Sequence, residues 1–421
     1  MRFLHLADVH LDTLFAGRSP ALRERLRGAL QQAWTRAVDQ AVEEEVDALL
    51  IAGDLFDGER LSFHTERFLG EELARLGEKG IPVFYATGNH DPGEGTAERG
   101  RIEWPDHVTV FDDATPRTVD VRRNGEVVGR ITGSGHRTAV VTEDLSRRFP
   151  RPAEDGVPAV ALLHTQVGGA RGEDAHDPYA PSELKHLERA GYDYWAIGHV
   201  HQRQKLSSVP GIHYPGNLQG RHPRENGAKG GLLVHVPGRG ATPDVRFVDL
   251  APVRWARIQV EPGPEVARFD GLVRAVRDAW RRLLEDEPAR PGTEWVLRVE
   301  LAGPSPLHRE LTRADEVETL RSELTSDLGV LEVDLRCGEV RPAVDPAPYL
   351  ERQDAAGEAL RLVRAMSQGE EDPFEVLGIA PQDLGGAETE EASQVARYVR
   401  HLLDEGDREL LERFLQERED G

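Results

Sequence analysis

Five short blocks of the sequence combine the carboxylate, amide and imidazole side chains that bind divalent metal ions. In chain order they are Asp8-x-His10, Gly53-Asp54-x-x-Asp57, Gly88-Asn89-His90-Asp91, His164, and Gly198-His199-x-His201. Residues i and i+2 of an extended segment face the same way, so both donors of the first block, and both of the last, can enter one pocket. A carboxylate such as Asp54 has two oxygens and can bridge cations about 3.5–4 Å apart. The blocks therefore predict a two-metal site suited to phosphate ester hydrolysis.

The ligand types also restrict the metal. The blocks contain no thiolate, and Cys337 is the single cysteine of the chain. Carboxylate, amide and imidazole ligands favour manganese, iron or zinc over copper(I) or an iron–sulfur cluster. We expect two divalent ions, with Mn²⁺ ahead of Fe²⁺ and Zn²⁺.

Apolar runs that are typical of buried strands stand before these blocks. They lie at residues 3–7, 48–52, 83–86, 160–163 and 195–197, and helical apolar spacing fills residues 22–42 and 63–76. This alternation predicts an α/β fold with parallel strands. Ligands of such folds bind at the carboxyl ends of the strands, which is where the blocks lie.

Each block taken alone has an ordinary structural interpretation. An isolated histidine such as His164 beside an apolar run is more often a core residue than a ligand. Asp54 is a favoured residue type for a helix N-cap, and Gly88-Asn89 is a common turn dipeptide. The occurrence of all the blocks in this order, each after a strand, favours the metal site.

Taken together, the motifs D-x-H, G-D-x-x-D, G-N-H-D and G-H-x-H resemble the signature of the calcineurin-like metallophosphoesterases. Residues 4–12 and 51–57 resemble bacterial DNA-repair exonucleases of the SbcD and YhaO type, and residues 214–225 look most like the YhaO branch. The resemblance covers roughly the first 230 residues. It implies a β-sandwich flanked by helices (αββα) with a small α/β capping domain beside it, and the residue patterns after about residue 250 predict that second domain and a C-terminal helical tail.

The resemblance also implies a role for each residue of the blocks. The ligands of the first metal would be Asp8, His10, Asp54 and His201. Those of the second would be Asp54, Asn89, His164 and His199. His90 would be the catalytic residue, which protonates the leaving oxygen or stabilises charge on the phosphoryl group, while a hydroxide held between the metals attacks phosphorus.

Two aspartates of the blocks are predicted to support these residues. Asp57 is expected to align a ligand histidine such as His10. Asp91 either orients His90 or serves as a turn or cap residue, and the sequence leaves both roles open.

Basic residues follow the last block and are candidates for contact with substrate phosphates. They are Arg203 and Lys205, then Arg221, His222 and Arg224. A solvated loop with scattered arginines explains the same residues equally well. The net charge of −23 argues against indiscriminate attraction to nucleic acid, although residues 370–421 carry 16 acidic and 5 basic residues and so hold much of that charge.

The composition bounds the location of the protein and the number of its domains. No apolar run is long enough to span a bilayer. The first predicted strand begins at residue 3, which leaves no room for a signal peptide, and the single cysteine suits a reducing compartment. We therefore expect a cytoplasmic protein without membrane contact. We predict a metallophosphoesterase domain at residues 1–250, a capping domain at 251–340, and a linker with an acidic helical segment at 341–421.

Local patterns support the last two domains. Alternation at residues 295–301 and 331–337 predicts two strands, and residues 269–284 and 314–328 read as helices. Two apolar stripes predict tail helices, at Ala392, Val395, Ala396, Val399, Leu402 and Leu403, and at Leu410, Leu411, Phe414 and Leu415. These helices either pack on their own domain or dock on a partner. The resemblance implies a coiled-coil ATPase of the SbcC or YhaN kind, and a homodimer stays open.

Three functions remain as hypotheses. The first is a metal-dependent DNA exonuclease or endonuclease. The second keeps the same site for a small phosphodiester or phosphomonoester, since the fold alone does not specify the substrate. The third is a weakly active interaction subunit that delivers a partner ATPase to DNA.

Overall fold

The computed structural model describes residues 1–58, 61–95, 102–171, 179–378, 399, 403 and 406–417. The chain forms two compact units. The first contains Met1–Ala256 and Glu287–Val296, and the second contains Arg257–Asp286 and Leu297–Gly421.

Two six-stranded sheets form the centre of the first unit. The order of the first sheet is β12 (Asp244–Asp249), β11 (Gly230–His235), β1 (Arg2–Leu6), β2 (Ala48–Ala52), β3 (Val83–Ala86) and β4 (Val108–Phe111). The order of the second is β5 (Arg117–Arg123), β6 (Glu126–Ser134), β7 (Ala159–His164), β8 (Tyr194–Gly198), β10 (Gly211–Tyr214) and β9 (Gln204–Ser208).

The inner faces of the two sheets share one apolar core. Phe3 and Leu50 of the first sheet are buried in the same cluster as Ile131, Leu162 and Tyr194 of the second. Because strands covered on both faces need apolar residues at nearly every position, the runs seen in the sequence become β2, β3, β7 and β8, which are completely buried. A β-sandwich is the result.

Helices cover the outer faces of this sandwich. The long helix α1 (Pro20–Glu43) begins with Ser19 as N-cap and Pro20 in its first turn, and it buries an apolar stripe that includes Leu26 and Trp34. It packs beside α2 (Phe63–Glu78). On the second sheet, α3 (Leu184–Arg189) shares a cluster with Leu163 and Trp195. The predicted αββα architecture is confirmed.

The strand directions bring the polar blocks to one edge. In the first sheet β1, β2 and β3 are mutually parallel, and in the second β7 and β8 are parallel. The first three blocks follow β1, β2 and β3, while His164 ends β7 and Gly198 ends β8. All five blocks therefore stand at the carboxyl ends of parallel strands.

The second unit has a different organisation. Most of a three-stranded sheet belongs to it, in the order β13 (Val253–Val260), β14 (Glu294–Ser305) and β15 (Glu332–Pro342). Its helices are α4 (Phe269–Asp286), α5 (His308–Thr312), α6 (Ala314–Leu328), α7 (Ala347–Leu350), α8 (Ala355–Gln368), α9 (Pro373–Leu377) and α10 (Gly406–Glu417). The strands and helices predicted between residues 269 and 337 are all present.

The tail is described in part. Of the first predicted stripe, Ala392, Val395, Ala396 and Leu402 lie outside the described residues. The second stripe forms α10, which packs on α8 and β15 with Leu411 buried and Asp407 paired with Arg364. Within the described helices, no segment is both long and apolar enough to cross a membrane.

Candidate metal centre

The seven predicted ligands meet in one buried cluster at the strand ends. Nε2 of His10 lies 3.2 Å from Nε2 of His201. On the other side, Oδ1 of Asn89 lies 3.0 Å from Nε2 of His164 and 3.1 Å from Nδ1 of His199. The structure thus gathers two groups of donors, and their membership follows the two ligand sets implied by the resemblance.

Two carboxylates connect these groups. Oδ2 of Asp54 lies 3.8 Å from Nε2 of His10 and 3.5 Å from Nε2 of His164, so it stands between the two groups as a bridging ligand must. Oδ1 of Asp8 lies 3.8 Å from Nε2 of His201. Both oxygens of Asp8 also accept hydrogen bonds from the backbone N–H of His199, which ties the first block to the last.

Several of these donors have a backbone conformation that L-residues rarely adopt. The φ angles are 51° at Asp8, 53° at His10, 52° at Asp54 and 111° at His199. Such strain persists only where the surroundings over-determine it, and it is common at functional sites. Asp54 precedes no helix, so the N-cap interpretation is wrong. His164 faces the cluster rather than an apolar core.

Two glycines make room for the donors. A Cβ on Gly53 would lie 2.1 Å from Nδ1 of His164, and one on Gly88 would lie 2.2 Å from Oδ1 of Asp54. No side chain fits at these distances. The glycines are therefore required by the close approach of the ligand side chains.

The electrostatics of the cluster fit cations. Burial, together with the neighbouring Asp54, raises the pKa of Asp8, and burial also raises the pKa of Asp54. Burial and then Arg221 lower the pKa of His10, so this imidazole is neutral. Buried carboxylates that repel each other are stabilised by a positive charge between them.

The histidine tautomers fit the same conclusion. Nδ1 of His164 lies 2.8 Å from the carbonyl oxygen of Ala52, and Nδ1 of His201 lies 2.6 Å from Oε1 of Glu225. These acceptors hold the proton on Nδ1 and leave a lone pair on Nε2, directed at the cluster. Metal-binding histidines are usually oriented in this way. The donor set therefore fits two divalent cations.

Asp57 links His90 to the cluster. Its Oδ1 accepts from Nδ1 of His90 at 3.0 Å and lies 3.5 Å from Nδ1 of His10, while its Oδ2 accepts from the hydroxyl of Thr13 at 2.8 Å. Burial by itself would raise the pKa of Asp57, but His10 and His90 outweigh burial and lower it. The hydrogen bond with Asp57 in turn raises the pKa of His90. Asp57 therefore lies beside His10 and accepts the hydrogen bond that orients His90.

Asp91 has the other role that the sequence left open. Its carboxylate accepts from the backbone N–H groups of Gly88 at 2.6 Å and Leu55 at 2.6 Å, and from the hydroxyl of Tyr85 at 2.5 Å. These bonds hold the second and third blocks together. Of the two roles that the sequence left open, the contacts of Asp91 are those of a turn residue, and Asp57 is the carboxylate that accepts from Nδ1 of His90.

The three candidate phosphate contacts differ in position. Nη1 of Arg221 lies 3.3 Å from Oδ2 of Asp57, so this side chain reaches the cluster, where it is 16% exposed. His222 is half exposed and lies 3.3 Å from Oε1 of Glu225. The side chain of Arg224 is exposed. Arg221 is thus the candidate that the fold brings beside His10 and His90.

Two supporting residues were not predicted from the sequence. Glu225 is buried, accepts a hydrogen bond from Nδ1 of His201 and accepts another from Nδ2 of Asn217 at 2.8 Å. Burial alone would raise the pKa of Glu225, but the hydrogen bonds from His201 and His222 outweigh burial and hold this pKa well below its usual range. Lys229 donates from Nζ to the carbonyl oxygen of His201 at 2.9 Å, and burial lowers its pKa to about 8. Glu225 stands in the run 214–225 that resembles YhaO, and this was the one available signal.

Comparisons with known proteins agree with this geometry. The family model described as calcineurin-like phosphoesterase matches residues 1–203, and the model described as the middle domain of metallophosphoesterase YhaO matches residues 255–337. An uncharacterized metallophosphoesterase, YhaO of Bacillus subtilis (strain 168), is 34% identical over 312 residues, which are 73% of this chain and 72% of the relative. The chain belongs to the calcineurin-like metallophosphoesterase family.

Two more distant relatives are also similar to this chain. The DNA double-strand break repair protein Mre11 of Methanopyrus kandleri is 25% identical over 388 residues, covering 87% of this chain and 77% of that protein. Mre11 of Aeropyrum pernix is 28% identical over 291 residues, covering 66% of this chain and 67% of that protein.

Proposed function

We propose that this metallophosphoesterase is a DNA phosphodiesterase that uses two divalent ions, with Mn²⁺ as the preferred metal. The observation that carries the proposal is the convergence of the seven donors around Asp54, with His90 at their edge. One ion would be held by Asp8, His10, Asp54 and His201. The other would be held by Asp54, Asn89, His164 and His199.

The metal ions and the neighbouring side chains would have different roles in the reaction. Metal ions bound at the cluster would polarise the phosphate and supply a nucleophile at neutral pH. His90 donates from Nδ1 to Asp57, so proton transfer to the leaving oxygen would pass through Nε2. The backbone N–H of His90 also donates to Oδ1 of Asp54 at 3.0 Å, which fixes the ring's position relative to the ligands. Arg221 would contact a phosphate oxygen.

The choice of DNA rests on the relatives and on the charge near the cluster. Two relatives carry the name of a DNA double-strand break repair protein. Arg221 lies beside the cluster although the chain carries a net charge of −23. Local cations on an acidic protein favour substrate binding at one place rather than over the whole surface.

A cleavage assay with Mn²⁺ tests the proposal. We expect the wild-type protein to cleave DNA, and His90→Asn to lose about 10²–10⁴-fold in rate, the usual contribution of an acid–base residue. The variant should keep its metal content, measured by mass spectrometry, because His90 is not a ligand. His64→Asn, at an exposed position of α2, is the matched control and should cleave like the wild type.

Two results would contradict the proposal. Equal cleavage by His90→Asn and His64→Asn would remove His90 from the mechanism. Hydrolysis of a small model diester with no cleavage of DNA would replace DNA by a small substrate.

The coiled-coil ATPase partner, the homodimer and the cytoplasmic location stay predictions.

A further inference from the structure

A cleft of about 570 Å³ opens beside the metal cluster, within the first unit. His201 belongs to both, because its Nε2 faces His10 in the cluster while the residue also lines the cleft. The volume lies in the range of about 300–1,000 Å³ that is typical of ligand sites. A substrate that extends past the cluster on this side would enter the cleft.

Three cations of the cleft form no ion pair with any carboxylate of the described residues. Arg203 lies over the ring of Phe247 at 3.6 Å, Lys229 is 8% exposed, and Arg224 is exposed. Across the part of the chain that the structure describes, no carboxylate forms an ion pair with Arg203, Arg224 or Lys229. A fourth cation, Arg254, is buried and paired with Asp249.

The acidic residues of the cleft do not cancel this charge. Glu225 and Glu287 line it. Glu225 already accepts from His201, Asn217 and the backbone N–H of Arg221. Glu225 is therefore engaged at His201 and also acts on Lys229. Glu287 is the other acidic residue of the wall, against the three cations Arg203, Arg224 and Lys229.

The cleft also lacks a surface for stacking bases. Among the described residues that line it, none is Phe, Tyr or Trp; the apolar members are small or aliphatic, such as Val200, Ala228 and Pro288. Proteins that bind single strands through their bases use aromatic platforms. A basic wall without such a platform suits phosphates, whose contacts position a strand without reading its sequence.

We infer that this cleft binds the phosphodiester backbone of a nucleic-acid strand next to the phosphate at the metal cluster, with Arg203, Arg224 and Lys229 as its cations. The inference rests on the proposed function and extends it, because it makes the substrate a polynucleotide and its recognition independent of sequence. Lys229 connects the two sites, since its ammonium group holds the backbone carbonyl of His201.

Binding of a fluorescein-labelled single-stranded oligodeoxynucleotide, measured by anisotropy in EDTA, tests the cleft without any cleavage. We expect Arg224→Gln to lower the affinity roughly fivefold and to reduce the slope of log affinity against log salt by about 0.7, the value for one phosphate contact on a single strand. Arg224→Glu should weaken binding further. Arg27→Gln, at an exposed position of α1, is the matched control and should bind like the wild type.

Cleavage measurements separate this inference from the proposed function. If the cleft acts as inferred, Arg224→Gln loses more kcat/KM on the oligonucleotide than on bis(p-nitrophenyl) phosphate. If the wild type cleaves DNA and Arg224→Gln binds and cleaves like Arg27→Gln, the inference is overturned and the proposed function stands. If the wild type hydrolyses only the small diester and does not bind the oligonucleotide, both are overturned.

Discussion

Single side chains of the centre act mainly through the neighbours that hold them in place. His90 is held by Asp57, and His201 is held by Glu225. In both pairs a carboxylate accepts a hydrogen bond from Nδ1–H and so fixes the orientation and tautomer of the ring. Asp57 and Glu225 therefore determine how His90 and His201 are presented at the centre.

Replacing Glu225 tests this support directly. Glu225→Gln keeps the size of the side chain and removes the charge that orients His201. We expect the affinity for Mn²⁺ to fall about 10–100-fold, as is usual when such a partner is lost, and isothermal titration calorimetry measures it. Glu126→Gln, at an exposed position, is the control. Unchanged affinity in Glu225→Gln would show that His201 needs no such partner.

The glycine at position 53 makes a second prediction at the residue scale. Gly53→Ala places a Cβ 2.1 Å from Nδ1 of His164, and Gly17→Ala meets nothing within 4 Å at a similar positive φ. The control thus isolates backbone strain, which costs about 1–3 kcal/mol. We expect Gly53→Ala to lower the free energy of unfolding by more than Gly17→Ala and to lose metal binding as well. Equal effects in the two variants would mean that His164 moves aside freely.

At the scale of elements, parallel strands explain why distant blocks meet. The carboxyl ends of β1, β2 and β3 point to one edge of the first sheet, and those of β7 and β8 end beside them in the second. Each block then needs only a short turn to reach the cluster. The hydrogen bonds that the backbone N–H groups of Gly88 and Leu55 donate to Asp91 fix two of these turns against each other.

The last described helix, α10, is held by apolar burial as well as by the ion pair between Asp407 and Arg364. Leu411 is 1% exposed in a helix that packs on α8 and β15. Leu411→Ala should lower the free energy of opening of this segment by about 2–4 kcal/mol, since it leaves a cavity. Hydrogen exchange of residues 406–417 measures the change. Glu409→Ala, on the exposed face, should leave protection intact, and equal protection in both variants would show that α10 is not packed.

At the scale of the whole molecule, the metal centre connects the two sheets. Asp8 and Asp54 follow strands of the first sheet, while His164 ends β7 and His199 follows β8 in the second. Two acidic groups are buried there, and burial raises the pKa of both. Bound cations would therefore stabilise the folded sandwich as well as enable its chemistry.

Chelation of the metals tests this connection. At a free Mn²⁺ concentration about 100 times Kd, binding stabilises the fold by about 2.7 kcal/mol. In a domain of this size, each kcal/mol of stabilisation raises Tm by roughly 4 °C or less. We expect EDTA to lower Tm and Mn²⁺ to restore it, as followed by calorimetry. Asp54→Asn should lose this response, because the bridging carboxylate is gone. An equal response in Asp54→Asn would place the stabilising metal elsewhere.

The sequence alone determined the candidate ligands, their order and the strands before them. It did so because metal ligation depends on residue chemistry, and because fully buried strands need continuous apolar runs. The seven ligand candidates and the αββα architecture followed from these local patterns and the family resemblance. The assignment of His164 as a candidate ligand depended on the other blocks, since one histidine after an apolar run has several interpretations.

Only the tertiary structure decided which side chains support the ligands and where a longer substrate would lie. Glu225 meets His201 across 24 residues, and Arg221 meets Asp57 through a loop from a distant part of the chain. The hydrophobic periodicity of the sequence does not predict such contacts, because they depend on how loops fold over the strand ends. The same reason explains why the sequence does not reveal the basic cleft. Its Arg203 lies between β8 and β9, whereas Arg224 and Lys229 lie between β10 and β11, and only the folded chain brings them together.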